Sequence, residues 1–219
     1  MKTPVTQVGL YKNKKMNLDT ITLLPEEIRK VLIRGIKAIG STDTDRRLLI
    51  EDWECRDNFK KTTSWHIPSG ELVRTLVKLG PIVSVGAGYG YTESLALVLG
   101  ADLIATDIKP NSSNSWCRGG KYYCKVEELA AVEAVRRWPE RNVFLAWPPY
   151  DTPMAHDVAE AMSPGQLLIY VGESAGGCTG DDSFFSKLRS EFEEIDEITI
   201  ASWSGIHDQC IVYKKLDKK

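Results

Sequence analysis

The sequence predicts an α/β fold: a mostly parallel sheet with helices on both faces, closed by an antiparallel hairpin and preceded by N-terminal helices. Three observations carry this. The run Pro81-Ile82-Val83-Ser84-Val85 is apolar and β-branched and stops abruptly in Gly86-Ala87-Gly88-Tyr89-Gly90, the pattern of a buried parallel strand entering a tight turn. Apolar strand-like runs then alternate with helical periodicities as far as residue 192, the rhythm of βαβ units. Finally, two strand-like runs at the C-terminus, 195–203 and 210–213, have only Ser204 to Gln209 between them. That link is too short for a parallel crossover, so the two must pair antiparallel.

Taken in order, residues 1–20 form a polar arm containing Lys12-Asn13-Lys14-Lys15. Pro25-Glu26-Glu27 starts a helix, with proline in the first turn and acids at the positive end of the dipole. Ile28, Val31, Leu32 and Ile36 continue it at helical spacing to about Gly40. A second helix is expected from Asp43 to Phe59, with Leu48, Leu49 and Trp53 on one face. Residues 1–64 are thus expected to be an arm and a helical lid, and residues 65–219 the main domain. After the irregular Trp65-to-Gly70 link, Ser69 caps a helix to Leu79 that delivers the chain into the glycine-loop strand.

A helix from Tyr91 to Leu99 and a strand from Asp102 to Thr106 follow, the strand ending at Asp107. Asn111 to Gly120 reads as a polar loop, Tyr122 to Val126 as a short strand, and Val126 to Trp138 as a helix. The remaining pattern is strand 142–147, helix Met154–Met162, strand 166–171 and helix Ser183–Phe192.

The glycine loop and Asp107 read together as a nucleoside-cofactor site. The glycines permit turn angles that a Cβ forbids and allow a ligand close to the main chain, and the next helix directs its free N–H groups at the loop. A carboxylate about 20 residues beyond such a loop suits the two ribose hydroxyls. The spacing is G-x-G-x-G, with Tyr91 where a dinucleotide loop has its third glycine.

This variant, with an acid closing the next strand, resembles the S-adenosylmethionine loop of class I methyltransferases. The five βα units and terminal hairpin resemble the seven-stranded, three-layer Rossmann-like sheet of that family over about residues 65–215. The resemblance implies S-adenosyl-L-methionine as cofactor, held by Gly86, Ala87, Gly88, Gly90 and Asp107, with Glu127 near the adenine and Trp147 beside the cofactor. Trp147-Pro148-Pro149-Tyr150 is similar to the D/N/S-P-P-Y/F/W motif of amino-directed methyltransferases, implying substrate contacts at Pro148, Pro149 and Tyr150. Trp147 departs from that motif because an indole only donates, so it cannot accept from a target amine.

Other candidates come from the expected carboxyl ends of the strands, where α/β sheets bind ligands. Glu173, in a glycine-bracketed loop, is a candidate base or substrate anchor, and His207, beside Asp208 at the hairpin turn, a candidate general base. Tyr150 is the third catalytic candidate. Trp65 is expected at the substrate and His66 beside the cofactor, whereas Cys178 reads as structural.

Bulk properties narrow the partners. At 219 residues, with 42% hydrophobic content, the chain can build one sizeable core. A net charge of −2 gives no general affinity for nucleic acid, although residues 1–80 carry 15 Lys or Arg against 10 Asp or Glu. The five cysteines show no metal-ligand spacing, and their odd number suits free thiols in a reducing compartment. No apolar run reaches membrane-spanning length. A soluble, cytoplasmic methyltransferase acting on nitrogen or oxygen of a small or nucleotide-like molecule is the expectation. RNA or DNA base methylation, a non-catalytic scaffold of the same fold, and a nicotinamide-dependent oxidoreductase are the alternatives.

Overall fold

The computed structural model describes residues 49–50, 53–108, 116–117, 121–203 and 205–217. The expectations placed on residues 1–48, and on most of the 111–120 loop, lie outside them. The order of elements is β1 (Leu49–Ile50), α1 (Trp53–Thr62), α2 (Gly70–Lys78), β2 (Ile82–Val85), α3 (Tyr91–Val98), β3 (Leu103–Asp107), β4 (Val126–Glu128), α4 (Ala131–Arg137), β5 (Asn142–Ala146), α5 (Met154–Ala161), β6 (Leu167–Gly172), α6 (Asp182–Glu191), β7 (Phe192–Ile198), β8 (Ser202–Trp203) and β9 (Gln209–Lys215).

Seven strands form one sheet in the order β4-β3-β2-β5-β6-β9-β7. All run parallel except β9, which is antiparallel to both β6 and β7. This is the Rossmann-like sheet with an inserted antiparallel strand that the resemblance implies. The central strands are buried on both sides, so they read as continuous apolar runs rather than alternating ones. Val83, Val143, Leu145 and Leu168 pack on one face against α4, α5 and α6, while Ile82, Phe144, Ile169 and Val171 pack on the other against α2 and α3. Edge strand β7 exposes Glu193, Glu194, Asp196 and Glu197, charges that discourage further strand pairing.

The local signals behave as their chemistry dictates. The Ser69 hydroxyl accepts from the Leu72 N–H at 3.0 Å, which fixes the start of α2. Gly86, Gly88 and Gly90 all take left-handed φ, +68°, +57° and +69°. Ala87 N–H donates to the Thr106 carbonyl at 2.9 Å, tying the loop to β3.

Three elements differ from expectation, each because distant pairing outweighs local periodicity. Leu49–Ile50 is a strand rather than part of a helix from Asp43, and it pairs parallel with Ser202–Trp203. Helix α1 instead runs to Thr62 and inserts Phe59 among Tyr91, Trp203 and Ile206. The strand expected at Tyr122–Val126 lies at Val126–Glu128, because Val126, Glu127 and Glu128 pair with Ala105, Thr106 and Asp107, and α4 begins only at Ala131. The run 195–203 is not one strand: β7 starts directly after α6, ends at Ile198, and β8 joins the small second sheet. No helix among the described residues is long and apolar enough to cross a membrane.

Candidate functional site

Strand order reverses between β2 and β5, since β3 and β4 lie on one side of β2 and the later strands on the other. Crevices at the carboxyl ends of strands flanking such a switch point are where open α/β sheets bind ligands. A cavity of about 590 Å³ opens there, within the range of roughly 300–1,000 Å³ common to small-molecule sites. Registers Val85↔Thr106 and Val85↔Leu145 bring Gly86, Asp107 and Ala146 to the same level at its base.

The glycine-loop end is acidic. Gly86, Ala87 and Gly88 line the cavity, as does Asp107, whose Oδ2 accepts the Gly88 N–H at 3.0 Å. A Cβ on Gly88 would stand 3.2 Å from Cys117 Sγ at a φ that disfavours side chains. Glu93, in the first turn of α3, is 3% exposed and also lines the cavity, accepting from Ser84 Oγ at 2.6 Å. Burial, with Asp107 contributing, pushes its carboxyl up to about 7. His66 is buried beside it, hydrogen-bonded through Nε2 to Thr92 Oγ1 at 2.9 Å and through Nδ1 to Ser64 Oγ at 3.1 Å. Burial lowers its pKa to about 3, so the ring is neutral.

The other end is aromatic and basic. Trp65 and Trp147 stack with centroids 5.4 Å apart and planes 28° apart, and Trp116 meets Trp65 edge-on at 5.6 Å. The Arg56 guanidinium lies 5.9 Å from the Trp147 ring centroid and the Lys60 ammonium 5.4 Å from that of Trp65. Pro148, Pro149 and Tyr150 complete this wall.

The tetrad is wired into the protein itself. Trp147 has φ +50°, a left-handed angle that a bulky residue holds only when its surroundings enforce it. Its N–H donates to the Val171 carbonyl at 2.8 Å and its Nε1–H to Asp208 Oδ1 at 2.9 Å. The Pro148 carbonyl accepts from Gly180 N–H and the Pro149 carbonyl from Thr152 Oγ1, both at 3.2 Å.

Gly90, Glu127, Glu173 and His207 stand outside the cavity wall. Gly90 caps α3 and packs against Cys124. Glu127 turns its carboxylate to Lys125 at 3.1 Å. Glu173 is buried with Oε2 accepting from Cys178 N–H at 2.7 Å and Oε1 from His207 N–H at 2.9 Å, clamping the 172–180 loop to the β8–β9 link. Burial alone would raise its pKa, but these hydrogen bonds together hold it below the usual carboxylate range. The His207 side chain is 70% exposed, its Nδ1 3.5 Å from Glu173 Oε1. Cys178 does line the cavity, with its thiol pKa raised by partial desolvation and by Glu173.

Glu93, Arg56 and Lys60 escape the sequence reading. A polar Ser84 inside an otherwise apolar, fully buried strand was the available signal for Glu93, because a buried hydroxyl demands a partner. Arg56 and Lys60 carry no motif and reach the cavity only through the placement of α1.

No family model matches the chain, and no curated protein matches it. Among solved structures it is similar to Burkholderia thailandensis 1,6-didemethyltoxoflavin-N1-methyltransferase with bound 1,6-didemethyltoxoflavin and S-adenosylhomocysteine, at 15% identity over 62% of this chain and 71% of that one, TM-score 0.42. It is also similar to N-methyltransferase NodS from Bradyrhizobium japonicum WM9, at 11% identity over 66% and 94%, TM-score 0.43. A third similar structure is magnesium protoporphyrin IX methyltransferase from Synechocystis PCC 6803 with bound SAM, at 12% identity over 66% and 76%, TM-score 0.43. Likeness at this level says nothing of this chain's chemistry.

Proposed function

We propose that this protein is an S-adenosylmethionine-dependent methyltransferase acting on nitrogen or oxygen of a small-molecule acceptor. The observation that carries the reading is the acidic end of the cavity: left-handed glycines that leave the main chain open, Asp107 beside them, and the buried carboxyl of Glu93 facing the same space. These residues fit the cofactor's chemistry. Asp107 offers a carboxylate to the ribose diol and Glu93 offers one to an ammonium, and among the described residues at the glycine-loop end of the cavity there is no lysine or arginine to meet a pyrophosphate.

When bound, the cofactor supplies an activated methyl group on a sulfonium. The chain's part is to place the acceptor. Trp147, fixed by two hydrogen bonds, and the rigid Pro148-Pro149 step form an unyielding wall against which an acceptor is oriented, and orientation is the main source of rate in such a site. Glu173, stabilised as a carboxylate by two backbone N–H groups, is a poor proton acceptor and serves the reading better as a clamp. The modest cavity and the charge of −2 favour a small acceptor over a nucleic-acid duplex.

Intrinsic fluorescence tests the reading, since Trp65 and Trp147 both line the cavity. S-adenosylhomocysteine should change the emission saturably while NAD should not; a response to NAD alone would favour an oxidoreductase.

A further inference from the structure

Resting on the methyltransferase reading, we propose that His66 is a positioning residue of the acceptor site: pinned to the first turn of α3, it holds Trp65 against Trp147 and so keeps in place a wall suited to a planar aromatic acceptor. The wall itself argues for a flat ligand. Trp65 and Trp147 stack with centroids 5.4 Å apart, and Tyr150, which also lines the cavity, is 59% exposed. Pro148 and Pro149 bring no N–H, and the Trp147 indole has already given its one side-chain proton to Asp208. What this wall offers a ligand is chiefly ring surface, and ring-to-ring contact is specific in its geometry.

The two tryptophans are held by different means. Trp147 is fixed at the end of β5 by the Val171 carbonyl and Asp208. Trp65 lies on the link between α1 and α2, between the two residues that tether that link. Ser64 Oγ bonds His66 Nδ1 at 3.1 Å, and His66 Nε2 bonds Thr92 Oγ1 at 2.9 Å. Thr92 precedes Glu93 in the first turn of α3, so the tether ends beside the cofactor end of the cavity. The imidazole is buried and meets the Phe144 ring of β5 edge-on, centroids 6.2 Å apart. An apolar side chain could fill such a space, and a buried imidazole is costly unless its nitrogens are bonded. Both are. A neutral ring supplies one donor and one acceptor, and a hydroxyl can meet either, so the two bonds fix the ring and the turn that carries Trp65.

Two neutral probes that differ in flatness test this: 2-naphthamide and its ring-saturated decahydro form, each titrated calorimetrically with and without S-adenosylhomocysteine. The wild type should bind the flat amide about fivefold tighter, the scale of one favourable aromatic pair. The stacked indoles should also give an exciton couplet in far-ultraviolet circular dichroism, identified by its loss in Trp65→Phe. His66→Phe should weaken both the couplet and the preference for the flat amide. His66→Gln, whose amide reaches the Nε2 position, should keep most of both. Thr92→Val removes one hydroxyl of the tether and should reproduce the His66→Phe losses even where that variant fails to fold. In His66→Phe and Thr92→Val the loss of affinity for 2-naphthamide should exceed that for S-adenosylhomocysteine. Equal losses for the two ligands, a couplet unchanged in the folded variants, or no preference for the flat amide in the wild type would overturn the proposal. A flat-amide preference that depends on His66, without any binding of S-adenosylhomocysteine, would uphold the positioning role and remove the cofactor reading.

Discussion

The indole Nε1–H of Trp147 donates to Asp208 Oδ1 at 2.9 Å across 61 residues of sequence, joining the tetrad at the end of β5 to the start of β9. Asp208 is 4% exposed, and its other oxygen, Oδ2, has no hydrogen-bond partner among the described residues. That single bond both spends the only side-chain donor of Trp147 and holds the ring in the cavity wall at a backbone angle it would not choose alone.

A pH signature in stability follows. Burial raises the Asp208 carboxyl from 3.8 to about 7, so between those values the folded state binds a proton that the unfolded state has released. The stabilisation from that proton is full below pH 3.8 and is lost as pH rises through about 7, with a slope of at most about 1.4 kcal/mol per pH unit for one group. Asp208→Asn keeps the oxygen that accepts from Trp147 and removes the titration. Urea midpoints should fall from pH 5 to pH 8 in the wild type and fall less in the variant; parallel declines would remove Asp208 from this role.

Glu93 links cofactor binding to pH. Its carboxyl, raised to about 7 by burial and Asp107, must ionise to face an ammonium, so binding releases a proton below pH 7. Affinity for S-adenosylhomocysteine should climb as pH rises from 6 to 8 and then level off. Glu93→Gln should bind more weakly by about 1.5–3 kcal/mol, the scale of a charged hydrogen bond, and lose the pH dependence. Calorimetry at three pH values, in buffers of different ionisation enthalpy, counts the proton directly; no proton release in the wild type would contradict the assignment.

His207 offers the clearest test of whether a base is used. The ring is exposed and stands outside the cavity wall. His207→Ala should therefore keep turnover within about threefold of wild type, short of the 10²-fold or greater loss expected when a general base is removed. A loss on that larger scale, with cofactor affinity unchanged, would establish His207 as the base.

The parts legible in sequence are those set by neighbours along the chain. The glycine loop, the Ser69 cap and the alternation of β2 through α6 each follow from local backbone chemistry, and the antiparallel β9 follows from a link too short to cross over. The pairing of Leu49–Ile50 with Ser202–Trp203 joins segments some 150 residues apart, and no local pattern announces it. Glu93 sits in the first turn of a helix, where an acid is expected for the dipole alone, so its cavity-facing position is masked by a sufficient local reason. His207 and Glu173 sit at the strand ends as expected, but the path of the 199–208 link turns their backbone and side chains toward each other instead of into the cavity.

Calorimetric titration of S-adenosylhomocysteine into wild-type, Asp107→Ala and Gly88→Val proteins tests the central claim most directly. The wild type should bind. Asp107→Ala should bind about 1.5–3 kcal/mol more weakly, because the ribose loses a charge-assisted pair of hydrogen bonds. Gly88→Val, folded by circular dichroism, should not bind, because a branched side chain fills the space where the ligand meets the loop. Absence of heat in the wild type at millimolar ligand, or undiminished binding by the folded Gly88→Val protein, would contradict the account.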